Sequence, residues 1–102
     1  MNNNPWEHVE FTQSARRHKV GRGRVIEVLT DPVVLERVED EGSLPIRWLV
    51  LGTDRGGRAI ELIVLEERTK VVVIHAMDLR KKYRARYERG LTLGGKTLED
   101  KS

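Results

Sequence analysis

The sequence predicts an α+β domain: short N-terminal helices, an antiparallel sheet of about four strands, and a C-terminal basic helix. Three observations predict it. The second half holds four apolar runs, parted by polar or glycine-bearing links. The first half keeps helical spacing up to Thr30-Asp31-Pro32, a helix-ending signal. The last apolar run gives way at once to a cation-rich helical stretch in "VVVIHAMDLRKKYRARYER", Val71 to Arg89. With 102 residues the chain, 1–102, reads as a single domain that can just bury one core.

Met1 to Pro5 is polar and reads as a flexible end. Trp6 to Phe11 alternates, with Trp6, His8 and Glu10 opposite Glu7, Val9 and Phe11, as in a short strand ended by Thr12. Thr12 or Ser14 is placed to cap a short helix through Arg17 or His18. Past Gly21 and Gly23, helical spacing returns at Val25, Ile26, Val28 and Leu29. Proline disfavours helical backbone in the residue before it, so Asp31-Pro32 ends that helix.

Val33 to Val38 is an extended run, and Glu39 to Ser43 a loop. Ile46 to Thr53, Arg58 to Glu66 and Lys70 to Ala76 follow as strands. Their links, Asp54-Arg55-Gly56-Gly57 and Glu67-Arg68-Thr69, are short enough to join antiparallel neighbours. The last two runs are apolar on both faces, a pattern of strands covered on both sides. Either the C-terminal helix covers one side or a partner protein does. That helix is expected from Asp78, a good N-cap residue. Leu79, Tyr83 and Tyr87 fall four apart and form its apolar stripe, with cations along the flanks. Thr92 onward, with Gly94-Gly95, reads as a frayed tail, so 91–102 is a second flexible end.

Composition narrows the function classes. Hydrophobic residues make up 38% and charged residues 34%, ordinary for a globular protein. No cysteine is present, which excludes disulfides, thiolate metal sites and thiol nucleophiles. No apolar run is long enough to span a bilayer, and the first residues lack the regions of a signal peptide. A cytoplasmic protein with no membrane association is expected. The net charge of +3 hides a strong asymmetry. Ser14 to Arg24 carries +5 and Asp78 to Arg89 carries +4, so the rest of the chain is −6. Concentrated positive charge favours polyanions, chiefly nucleic acid or acidic protein surfaces.

Several chemistries find no motif. Neither Gly21-Arg22-Gly23 nor the glycines between Gly52 and Gly57 have the spacing of a phosphate loop. His8, His18 and His75 show no metal-ligand spacing, and no metal or other cofactor is expected. Ser14 and Ser43 stand in no nucleophile motif. What remains is His75 among arginines, lysines and tyrosines. This set suits metal-independent RNA cleavage. A base takes the ribose 2′-hydroxyl proton, an acid protonates the leaving 5′-oxygen, and fixed cations stabilise the charge building on phosphorus. Histidine serves either proton transfer near neutral pH, arginine forks onto phosphate oxygens, and tyrosine stacks on a base or donates a proton. Each residue also has a plainer role. His75 continues an apolar strand and suits a hydrogen-bonded core position. Tyr83 and Tyr87 lie on the packing stripe. Trp6 and Trp48 suit a core or an interface. Arg80, Lys81 and Lys82 sit where cations oppose the helix dipole, a small penalty that favours a role for them.

Three stretches carry a resemblance to a known family: "FTQSARRHKV" (Phe11 to Val20), "VIEVLTDP" (Val25 to Pro32) and "VVVIHAMDLRKKYRARYE" (Val71 to Glu88). Together with the order of elements they resemble the BrnT family of ribonuclease toxins and, more distantly, the RelE toxin superfamily. The resemblance implies the RelE/BrnT-like fold and an RNase toxin of a toxin–antitoxin pair. It also implies a cognate antitoxin, usually a small DNA-binding protein, that covers the toxin and with it represses their promoter. Arg84 and Tyr87 match the family pattern, whereas the family's serine falls at His75, its arginine at Met77 and its glutamate at Tyr83. The expected catalytic residues are then His75, Arg84 and Tyr87. Arg16, Arg17, Lys19, Arg80 and Lys82 are expected to hold the phosphates of RNA, free or ribosome-associated. The alternative is a non-catalytic basic module that docks nucleic acid or an acidic protein. A family member that only forms a homodimer is a third possibility.

Overall fold

The computed structural model describes Trp6, residues 8–38 and residues 45–100, the last seven by backbone alone. The elements run β1 (Glu10–Phe11), a one-turn 3₁₀ helix (Ser14–Arg16), α1 (Arg22–Thr30), β2 (Val34–Arg37), β3 (Ile46–Thr53), β4 (Ala59–Glu66), β5 (Val71–Asp78) and α2 (Lys81–Asp100). The class is α+β with a C-terminal helix. The loop expected at Glu39 to Ser43 and the end expected at Met1 to Pro5 lie outside the described residues.

The sheet corrects the expectation of about four antiparallel strands. It has five, in the order β1-β5-β4-β3-β2, and β1 pairs parallel with β5. Alternation at Trp6 to Phe11 suggests the strand, which is only Glu10–Phe11, but a partner some sixty residues along the chain leaves no hairpin signal, so periodicity does not reveal the pairing. The antiparallel links are as expected. In the β3–β4 turn, the Gly57 N–H donates to Asp54 O (3.0 Å) and the Arg58 N–H to Asp54 Oδ1 (2.8 Å). Gly57 holds φ +91°, a conformation open to glycine at little cost.

Cross-strand register sorts the side chains into two faces. Val50, Leu62, Val64, Val73 and Ala76 form one core with Ala15, Val20, Val25, Val28 and Leu29, so the N-terminal helices cover that face. Leu49, Leu51 and Ile63 form the other with Leu79, Tyr83 and Tyr87, so α2 covers the second. The strands that are apolar on both sides are thus covered by the chain's own helices. A partner protein is not needed to account for them.

Two further departures shape the site. Thr12 Oγ1 accepts the Ala15 N–H at 3.1 Å and opens the 3₁₀ turn, as one of the two expected caps. Asp78 does not cap the C-terminal helix: it is the last residue of β5, its carboxylate pairs with Arg58, and α2 begins at Lys81. At its other end α2 runs to Asp100, through the segment that reads as a loose tail.

At Gly52 α1 lies close against the sheet. A Cβ there would lie 2.7 Å from Val28 Cγ1, and valine in a helix has essentially one χ1 rotamer with which to yield. Gly52→Ala is expected to cost about 1–3 kcal/mol, read as a lowered urea midpoint with unchanged slope.

Candidate active site

Glu61 is the buried centre of the second face. It stands mid-strand in "AIELIVLE", opposite Leu51 on one neighbour and Met77 on the other, with no exposed surface. An isolated carboxylate there is costly, so it must be paired and hydrogen-bonded. The Arg80 backbone N–H donates to Oε1 at 2.7 Å. Oε2 accepts from Arg80 Nε at 2.8 Å and from His75 Nε2 at 2.8 Å, with Arg80 Nη2 at 2.6 Å. Burial pushes the Glu61 carboxyl up, but the hydrogen bonds from Arg80 and His75 and the guanidinium charge outweigh it, and the group is held below its usual range. Glu61 is therefore ionised, and Arg80 beside it is held more firmly protonated by the same hydrogen bond.

His75 reaches this carboxylate because of a β-bulge. Leu62 pairs with Ala76 and Ile63 with His75, but Val64 pairs with Val73, so Ile74 is an extra residue. Strict alternation from Val73 would put His75 on the N-terminal-helix face. The bulge turns it to the α2 face instead, beside Glu61. An ionised carboxylate can only accept, so His75 Nε2 carries a proton. The His75 side chain is 24% exposed, so it is neither sealed in the core nor loose.

A second imidazole faces the first. His18 follows the 3₁₀ turn, and its ring centroid lies 6.3 Å from that of His75, edge-on at 70°. Lys19 next to it adopts φ +60°, which turns the chain so that Val20 enters the core while His18 stays exposed. His18 belongs to the first basic segment and His75 lies three residues before the second, while the helices that carry the two segments cover opposite faces of the sheet.

The other expected residues divide. Arg80 is at the centre, half-exposed and bound to Glu61. Lys82 is exposed and lies 5.1 Å from the centre of the Tyr83 ring, which Arg80 and Arg86 also approach at 5.7 and 5.9 Å. These contacts form a cationic rim with an aromatic floor. Arg84 is exposed on α2, 3.6 Å from Glu88, free to exchange that surface pair for a phosphate. Arg16 and Lys19 line a hollow of their own with Phe11, Val20, Gly21 and Arg22, and Arg17 is exposed nearby in the chain. Among the described residues no acid pairs with Arg16, Arg17 or Lys19.

Tyr87 is 8% exposed and belongs to the α2 core, with its hydroxyl 2.5 Å from Thr53 Oγ1, as its plainer packing role expects. Glu61 is the residue the sequence reading passed over. Its signal was a lone acid in the middle of an apolar run. Among the described residues no group of three or more His, Asp or Glu is arranged to hold a metal ion, and no buried side-chain polar atom lacks a partner.

No family model matches this chain, and no curated protein matches its sequence.

Proposed function

We propose that the chain is an endoribonuclease acting by general acid–base chemistry, the toxin of a cytoplasmic toxin–antitoxin pair of BrnT-like or RelE-like kind. One observation carries the proposal: a solvent-reaching histidine held by a buried carboxylate at the edge of a cationic, aromatic surface. His75 Nδ1 is the acceptor for the ribose 2′-hydroxyl proton. Glu61 fixes the ring and stabilises the imidazolium that forms, as in other carboxylate–imidazole pairs. Lys82 and Arg84 stabilise charge building on the phosphate, and Tyr83 offers a face to a base. The antitoxin is expected to cover this surface.

The test is cleavage of naked and ribosome-bound RNA, with chelator present. The wild type is expected to leave 2′,3′-cyclic phosphate ends. His75→Ala should lower the rate by about 10²–10⁴-fold, and Arg84→Ala by roughly tenfold. A wild type inert toward both substrates overturns the enzyme. Growth arrest on induced expression, relieved by the product of an adjacent reading frame, tests the toxin assignment separately.

A second function is favoured by the completeness of the Glu61 cluster, since every partner there is satisfied without a substrate. The basic surface then only docks nucleic acid. Binding that falls steeply with salt, with no product at any enzyme concentration, selects it.

A further inference from the structure

We propose that His18 is the second proton-transfer residue of this site, the donor to the leaving 5′-oxygen. This rests on the ribonuclease activity proposed above. Cleavage by the 2′-hydroxyl moves two protons on opposite sides of phosphorus. As the O2′–phosphorus bond forms, O2′ gives its proton to His75 Nδ1. As the phosphorus–O5′ bond breaks, O5′ takes a proton from His18. The products are a 2′,3′-cyclic phosphate and a 5′-hydroxyl, and the step consumes nothing else. One imidazole cannot stand on both sides of an in-line displacement, so a second donor is required.

Among the described residues, the groups that contact His75, its partner Glu61 or Arg80 leave one candidate. Glu61, from β4, is ionised and both its oxygens are occupied. Arg80, from the segment before α2, does not release a proton in proteins. Tyr83 is half-buried beneath three cations. His18 is exposed and edge-on to His75, with centroids 6.3 Å apart. Histidine holds and releases a proton near neutral pH, and each transfer needs a nitrogen within about 2.6–3.2 Å of its oxygen. Two imidazoles at this separation can flank a single phosphodiester. Arg17 and Lys19, on either side of His18 in the chain, favour an anion there.

The experiment compares a short single-stranded RNA of mixed sequence with the same RNA carrying one 5′-bridging sulfur. A thiolate leaves without a proton, so the altered linkage needs no acid. His18→Gln is expected to cut ordinary RNA about 10²–10⁴-fold more slowly than wild type, yet come within about tenfold of it at the sulfur linkage. His75→Gln should be slow on both. Melting temperature, unchanged in His18→Gln because the side chain is exposed, separates chemistry from folding. His18→Gln cutting ordinary RNA at the wild-type rate overturns the assignment while the ribonuclease stands. Equal loss on both linkages overturns the donor role. A wild type inert on both RNAs removes the ribonuclease and this inference together.

Discussion

Glu61→Gln is expected to lower both stability and RNA cleavage, each by an amount large for an isosteric change. The amide keeps an oxygen for the Arg80 N–H but turns an NH₂ toward the guanidinium and the His75 Nε2–H, donor against donor. Breaking a fully buried ion pair costs about 3–5 kcal/mol. Arg80 is 43% exposed and can turn to water, which brings the expectation down to about 2 kcal/mol. In a domain of this size that is a fall in melting temperature of roughly 8–16 °C. Cleavage should drop by roughly 10²–10⁴-fold, because His75 loses the partner that sets its tautomer. The sulfur-bridged RNA should not restore it, since the defect lies on the base side. Glu61→Asp, shorter by one methylene but still charged, should recover part of both. Acid probes the same carboxylate. Its folded-state pKa lies below its unfolded value, so its stabilisation is complete above the unfolded value, about 4.3, and is lost as pH falls through the folded value. An acid-unfolding curve of Glu61→Gln should therefore be flatter than that of the wild type below about pH 4.

Much of the fold was legible in residue order. Apolar runs between polar or glycine-bearing links located β2 to β5, Asp31-Pro32 marked the end of α1, and the spacing of Leu79, Tyr83 and Tyr87 identified the face of α2 that packs. Such signals are local, repeating over several residues of one element. The site is not local. Its carboxylate and imidazole come from neighbouring strands, and whether they share a face depends on one extra residue, Ile74. Nothing in "VVVIHAMD" distinguishes a bulged strand from a regular one, and in the regular one His75 would point away from Glu61. His18 meets His75 only because the 3₁₀ turn packs beside β5. Asp78 had the chemistry of a cap, but Arg58, just before β4, pairs with its carboxylate. Long-range pairing decided each of these.

Tyr87→Ala is expected to be the most damaging single substitution on α2. The ring is one of three buried residues in the core beneath that helix, with Leu49 and Leu51, and truncating a buried aromatic to alanine costs about 3–5 kcal/mol. A fall in melting temperature of roughly 12–40 °C follows, which approaches loss of the native state at 37 °C. Tyr87→Phe keeps the ring and removes only the hydroxyl beside Thr53 Oγ1. Its expected cost is about 1 kcal/mol, the net worth of one hydrogen bond. The pair of variants tests where this tyrosine acts. If Tyr87 is an anchor, Tyr87→Phe cleaves RNA at the wild-type rate on every linkage, and Tyr87→Ala loses activity only in step with its folded fraction. If the hydroxyl reached substrate, Tyr87→Phe would lose rate while remaining folded, and the burial of Tyr87 beneath α2 would have to give way during catalysis. The anchoring role also explains why the helix can carry so many cations at its start. Three apolar contacts and the Glu61 carboxylate hold that first turn against the sheet, so repulsion among Arg80, Lys81, Lys82 and Arg84 is not relieved by the helix moving away. Glu61 and Glu88 neutralise Arg80 and Arg84, and the nucleic-acid binding proposed above would offset the charge of Lys81 and Lys82.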